Sequence, residues 1–272
     1  PPMIDGLPPI AVAKVAELSA SQLAAHGLEG VLRWKIEYEP FWAEFFQRLT
    51  DVLDEVSVGD ALQLVRVFAQ LRSVHLDSVA ACVAKVCDAE AEILLDLKET
   101  DLAYGAEALA TMQETEALAV VLRVLASRVY RLEIPLATRL LDACRQVLTH
   151  DTGTTAQERM IEASSAESSD FADALCRAVV EKEDMPYKQV VEVAEATARL
   201  AEANLYRIEP RCGLEILFQH ALRRGRTETT VGSADVERLV VAARSSCKSQ
   251  VAALQKLQQQ KVQNATSDVL AE

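Results

Sequence analysis

Tyr130-Arg131-Leu132-Glu133-Ile134-Pro135 returns as Tyr206-Arg207-Ile208-Glu209-Pro210, 76 residues further along the chain. In both places an apolar run at helical spacing ends in an aromatic and an arginine, passes an acidic residue and reaches a proline. Proline in the first turn of a helix removes no intrahelical hydrogen bond, so each copy reads as a joint between two helices. The upstream runs match in kind, Arg123-Val124-Leu125-Ala126 beside Arg199-Leu200-Ala201-Glu202. A weaker copy, Leu71-Arg72-Ser73-Val74-His75-Leu76-Asp77, comes earlier. Seventy-six residues make two units of 38, the length of a helix–turn–helix pair. Such pairs bury their apolar faces by stacking on the next pair.

The rest of the chain agrees. Leu62, Val65, Phe68, Ala69 and Leu71 recur at three- and four-residue spacing, as do Val79, Val83 and Val86, then Leu118, Val121, Leu122 and Leu125, then Val190, Val193, Ala194, Thr197 and Leu200. That is the period of a buried helix face, with no strand-like alternation. Of 272 residues, 50% are hydrophobic but 5% aromatic, and Gly and Pro number only 9 and 8. This excludes a disordered or collagen-like chain and a turn-rich β sandwich. Pro40, Pro135, Pro186 and Pro210 each open an apolar run, Ser57 and Asp60 have the spacing of a capping box, and Gly27, Gly30, Gly153, Gly225 and Gly232 read as caps or loops. The predicted helices are 10–26, 40–55, 59–73, 76–97, 101–113, 115–131, 135–149, 156–167, 169–183, 186–206, 210–224 and 233–263, with a hinge expected at 150–170. The expected fold is all-α: antiparallel helical hairpins stacked as an α-solenoid or irregular bundle, with a long C-terminal helix. The expected organisation is an N-terminal helical segment (1–56), a helical-repeat body (57–232) and a C-terminal helix and tail (233–272).

A long aliphatic helix, a Tyr-Arg turn at Tyr130 and Tyr206, and a second aliphatic helix at 37–38-residue spacing resemble the heptatricopeptide and octotricopeptide α-solenoids of organelles, over residues 59–224. The resemblance implies organellar RNA metabolism or a subunit role in a mitochondrial assembly. Mitochondrial localisation follows as an expectation, with the cytoplasm as the alternative. No initiator Met precedes Pro1-Pro2, as in a processed form or a chain given without its extreme N-terminus.

Charge is segregated. The net charge is −13 and the pI about 4.9, which disfavours wrapping nucleic acid by bulk attraction. Yet residues 207–261 carry ten basic and five acidic side chains. Opposed charge of this kind suits docking between partners. Arg223, Arg224 and Arg226 form the densest basic cluster, a possible anion contact or simply a complement to a helix C-terminus. Trp34, Tyr38, Phe41, Trp42 and Phe45, with Phe46, gather much of the aromatic content into one knot, read as an interface anchor. Val251, Leu254 and Leu257 continue a narrow stripe among glutamines, suited to a helical seam that holds the tail to a partner or to the body.

Motifs with chemistry of their own are scarce. No phosphate-binding glycine loop, zincin helix or nucleophile elbow occurs. Asp151-Thr152-Gly153-Thr154 contains the tripeptide of aspartic proteases, but without a second carboxylate copy it reads as a turn. Ser245-Ser246-Cys247-Lys248 contains Ser-x-x-Lys without its partner motifs. The four histidines are far apart, and Cys82 and Cys87 fall on different helix faces, so no metal site is expected. Glu181, Glu183 and Asp184 read as a complement to the Pro186 helix start. Six scattered cysteines read as buried free thiols in a reducing compartment. No apolar stretch is long enough to span a bilayer. The resulting expectation is a non-catalytic scaffold without cofactors, an accessory subunit of a mitochondrial respiratory-chain or ATP synthase assembly. Its partners would be other protein subunits. The rival readings are an organellar RNA-binding repeat protein, using the basic C-terminal stretch, a mitochondrial ribosome subunit, and an enzyme whose site is assembled from scattered residues.

Overall fold

A computed structural model describes residues 14–71, 76–148, 155–182 and 184–271. Every regular element among them is helical. The chain divides into two compact units, Pro1–Val124 and Leu125–Glu272. That boundary differs from the sequence divisions after residues 56 and 232.

In the first unit α1 (Ala20–Glu29) starts at a capping box, where Ser19 and Gln22 exchange side-chain and backbone hydrogen bonds. A π-helical turn, Gly30–Trp34, follows and ends at Lys35 with φ 46°. Then come α2 (Glu39–Val52), α3 (Val58–Leu71), α4 (Leu76–Cys87), α5 (Ala91–Leu95) and α6 (Glu99–Thr111), with α7 (Thr115–Arg128) crossing the division. The central element is α3, on which α1, α4, α5 and α6 pack. Its Ala61, Leu62, Leu64, Val65, Val67 and Phe68 are buried, a helix apolar nearly all round, as a core position requires. Half of the predicted capping box at its start is shown, the bond to the Ser57 hydroxyl. Asp60 N–H donates to Ser57 Oγ at 3.1 Å, and both Ser57 and Ser21 hydroxyls donate to Asp60 Oδ2, at 2.7 and 2.8 Å.

The second unit holds α8 (Ile134–Leu148), α9 (Thr155–Glu181), α10 (Tyr187–Glu202), α11 (Gly213–Thr227), α12 (Ser233–Ser246) and α13 (Lys248–Ala271). Each helix touches the next, and each also packs on the one after that: α8 on α10, α9 on α11, α10 on α12, α11 on α13. Alternate helices therefore form two rows. The α8–α10–α12 row is cross-linked twice in the same way. Arg199 of α10 grips Asp142 of α8 through two hydrogen bonds of 3.0 Å. Arg238 of α12 grips Glu195 of α10 at 2.8 and 2.6 Å.

Several boundaries differ from the sequence reading. The expected helices 156–167 and 169–183 are one helix, α9, because the stretch has neither Gly nor Pro to interrupt it. Residues 150–154, which hold His150, the Asp151–Thr154 turn and the start of the expected hinge, lie outside the described residues, as do Arg72–His75 of the weak repeat copy and Glu183. The expected helix 76–97 divides at Asp88–Glu90, where carboxylates at a helix C-terminus oppose its dipole. The expected helix 233–263 breaks at Cys247, φ −133° and ψ 69°. Just before the break the Ser245 and Ser246 hydroxyls donate back to Ala242 O at 3.0 and 2.7 Å, a competition with the helix ladder.

The repeat copies also land in different settings. Three helices separate them, not four, so α8 and α11 stand in opposite rows. Tyr130 is 51% exposed, whereas Tyr206 is 4% exposed. Past Pro210 the chain turns through Arg211, φ 66°, and α11 begins only at Gly213.

Gly27 and Gly225 lie buried inside helices rather than at caps. A Cβ on Gly27 would stand 2.6 Å from the Phe45 ring, and one on Gly225 would stand 2.6 Å from Leu257 Cδ2. Their use is close approach. Gly225→Ala is expected to lower stability by about 1–3 kcal/mol through overpacking. Urea unfolding measures this, and Leu257→Ala added to Gly225→Ala should cost less than the sum of the two single changes.

Candidate functional site

The first unit has an apolar groove of 320 Å³ walled by Val15, Leu18, Trp34, Ile36 and Phe41, with Lys14, His26 and Glu29 along it. Its walls are fixed by hydrogen bonds to backbone. Arg48 Nε donates to Leu18 O at 2.9 Å. Ile36 N–H donates to Gly30 O at 3.0 Å, closing the π turn, and Trp42 Nε1 donates to Ile36 O at 2.8 Å. Trp34 is held outward: it is 63% exposed, and Leu32 and Tyr38 beside it in sequence are exposed too. The Arg33 guanidinium lies 5.2 Å from the centre of its ring.

The aromatic knot thus separates into two parts. Phe41, Trp42 and Phe45 are buried, with Phe46, in the unit's own core. Their rings meet edge to face, Phe41–Trp42 at 5.0 Å and Trp42–Phe45 at 5.3 Å, and Phe46 stacks on Phe68 of α3 at 6.1 Å. Phe41 reaches the groove as one of its walls, so Trp34 and Tyr38 are left as the free aromatics.

The basic cluster separates as well. Arg224 is ion-paired with Glu228 and donates to Met185 O at 2.7 Å, which ties α11 to the start of α10. Arg223 and Arg226 are exposed. The stripe on α13 packs on the protein itself: Leu254 and Leu257 are buried, Val251 is half-buried, and Lys261 Nζ donates to Glu228 O at 2.6 Å. The body of the protein holds this helix as far as Lys261.

The second unit has an open cleft of 460 Å³ bordered by Asp173, Arg177, Arg207, Arg211 and Cys212. Asp173, on α9, organises it. Its carboxylate accepts from the Tyr206 hydroxyl at 2.9 Å, from Gly213 N–H and from Arg177 Nε at 2.7 Å. Leu214 N–H donates in turn to the Tyr206 hydroxyl at 3.1 Å. The first N–H groups of α11, which have no intrahelical acceptor, are thus satisfied from outside the helix. Gly213 is needed there, since a Cβ would stand 2.6 Å from Asp173 O. Cys212 precedes Gly213 as the residue before the helix.

Compared with protein-family models, curated proteins and solved structures, the chain matches none.

Among the described residues no group of three or more His, Cys, Asp or Glu is placed to hold a metal ion, and no helix is long and apolar enough to cross a membrane. Glu181 and Asp184 border a 730 Å³ cleft together with Glu133 and Lys182. All six cysteines are free; five are buried and Cys87 is half-buried. Burial pushes the Cys82, Cys144 and Cys176 thiols up to about 12, so these are inert packing residues.

Sequence reasoning singled out Tyr206 as a turn and did not find Asp173, which is one carboxylate among many on a helix face. Burial raises the Asp173 carboxyl, but the hydrogen bonds from Arg177, Gly213 and Tyr206 outweigh it and hold it below the usual carboxylate range. A carboxyl lowered by folding contributes stability that is complete above its unfolded value and lost as pH falls through the lowered one. Asp173→Asn is therefore expected to destabilise the protein at neutral pH and to flatten the acid limb of stability against pH. Chemical unfolding from neutral to strongly acidic pH checks this, and an acid limb unchanged by the substitution would contradict it.

Proposed function

We propose that the protein is a non-catalytic helical scaffold, an accessory subunit that docks an apolar-anchored segment of another protein in the Trp34 groove. The carrying observation is Trp34 itself. A large, rigid indole stands 63% exposed beside an apolar groove, on a π turn, an element frequent at functional sites. Trp and Tyr are the residue types most enriched among the anchors of protein interfaces. The first unit carries 20 acidic and 9 basic side chains, so basic residues flanking the apolar anchor of the partner segment would be steered towards it. The sequence resemblance to organellar helical repeats is what supports membership of a mitochondrial assembly.

Selection of short peptides from a display library on the immobilised chain tests the docking. Selected peptides should share an aromatic or leucine anchor with Lys or Arg beside it. Their affinity should fall roughly tenfold or more in Trp34→Ala, as truncating an anchor costs about 2 kcal/mol, and persist in Trp34→Phe. Peptides lacking an apolar anchor, or binding unchanged in Trp34→Ala, would overturn the reading. Sedimentation of a native organelle lysate tests the assembly: the chain should migrate with larger species, and migration as a free monomer would contradict it.

A further inference from the structure

The Trp34 groove begins where the described chain begins. Lys14 and Val15 border it, with Leu18 one turn further on. Their backbone is held in place: Glu17 N–H donates to Lys14 O at 3.1 Å and Leu18 N–H to Val15 O at 3.2 Å. Residues 1–13, which lie outside the described residues, therefore join the molecule at the groove itself. Their composition is unlike that of the acidic unit they lead into. Eleven of these thirteen residues are apolar or proline, Asp5 is the one charged side chain and none is basic. Met3, Ile4, Leu7 and Ile10 each carry a large apolar side chain.

We propose that this segment occupies the Trp34 groove of its own chain, with Leu7-Pro8-Pro9-Ile10 against the Trp34 ring, as a tethered competitor of the partner segment. The proposal rests on the docking reading given above. Reach is sufficient: the four residues from Ile10 to Lys14 span up to about 13–14 Å when extended, more than the width of a cavity of 320 Å³. The chemistry matches the walls. Leu7 and Ile10 gain by leaving water for an apolar surface. Pro8 and Pro9 bring no N–H group to be left unpaired against such a surface, and their fixed φ leaves less conformational freedom to lose on docking. Proline-bearing segments recur as ligands of aromatic-lined grooves. Here Trp34 and Tyr38 are the exposed aromatics and Phe41 is a wall.

The consequence is selection among occupants. A short tether gives an effective concentration on the order of millimolar, so even a weak contact within the chain keeps the groove filled. The segment supplies only the apolar half of what the unit attracts, since it has no Lys or Arg for the surrounding carboxylates. A partner that carries an apolar anchor and a basic flank displaces it. An apolar segment without the flank meets a competitor of its own kind that is already tethered. In the absence of a partner the exposed indole is covered, which keeps an apolar patch from non-specific contact.

NMR of the unaltered 272-residue chain, with labelled Leu and Ile methyls, tests the contact. Nuclear Overhauser effects from the Trp34 indole to the Leu7 or Ile10 methyls are expected, and their absence would overturn the proposal. In an equal mixture of methyl-labelled and Trp-labelled chains these effects should vanish. Their persistence there would put the segment on a second copy and overturn it as well. Leu7→Ser combined with Ile10→Ser leaves the charge unchanged and should raise the affinity of the display-selected peptides roughly tenfold or more, as a tethered competitor is removed. An unchanged affinity would contradict the competition. The two readings of the groove fail separately. Trp34-dependent peptide binding without contacts from the segment overturns the segment alone. Contacts from the segment, with no peptide bound by either the unaltered or the serine-substituted chain, overturn partner docking and leave the segment as the occupant.

Discussion

A helix that begins inside a packed unit brings backbone N–H groups that must find acceptors, and at α11 they find them on another helix. Asp173 of α9 takes the Gly213 N–H and orients Tyr206, whose hydroxyl takes the Leu214 N–H. This fixes where α11 starts and how it lies against α9. Much of the second unit follows from that placement. With α11 in position, Gly225 presents a gap that Leu257 fills, Tyr187 donates to Ala221 O at 3.2 Å, and Lys261 reaches Glu228 O. The polar α13, which has too narrow an apolar stripe to be held by its own side chains, is docked as a result. An uncapped α11 would leave buried donors unpaired, each at a cost of about 1–3 kcal/mol.

The two bidentate arginine pairs act differently. Arg199–Asp142 and Arg238–Glu195 are partly exposed, so solvent screens them and their contribution to stability is small. Their geometry is what matters, because a planar guanidinium gripping a carboxylate through two bonds admits few relative positions of the helices that carry them. Each pair joins a helix to the one two places earlier, which sets the register of the α8–α10–α12 row. These two arginines therefore serve internal alignment. Arg224, spent on Glu228 and Met185 O, belongs to the same group. Arg223 and Arg226, by contrast, stay exposed.

The helical fold was legible because apolar spacing and scarcity of turns are local properties. The breaks were less so. Helices end at Lys35, Gln113 and Asn204 in the left-handed region, with Glu114 N–H reaching back to Leu109 O and Leu205 N–H to Leu200 O at 2.9 Å. Glycine would have signalled such ends, and glycine was instead used at Gly27 and Gly225 for contact between helices. A residue suited to a turn and a residue suited to close packing are the same residue, and only the neighbour decides. Trp34 and Tyr38 could be named from the sequence as part of an aromatic knot. Their separation from Trp42 and Phe45 could not, since it depends on the π turn that displaces one part of the knot from the helix that buries the other. The break at Cys247 was illegible too, since it falls where the Ser245 and Ser246 hydroxyls compete with the backbone.

Trp34 and Trp42 together carry the proposal that the groove takes another molecule. The two indoles lie within one short stretch, and the fold buries one and excludes the other. Trp42 is placed by its packing against Phe41 and Phe45 and by its bond to Ile36 O. That bond, with Ile36 N–H on Gly30 O, fixes the backbone just past the π turn that carries Trp34. Covering an exposed side chain of this size contributes about 1.5–3 kcal/mol or more, and the fold leaves that contribution unclaimed. On the docking proposal, the fold that leaves Trp34 out of the core is what offers it to a partner.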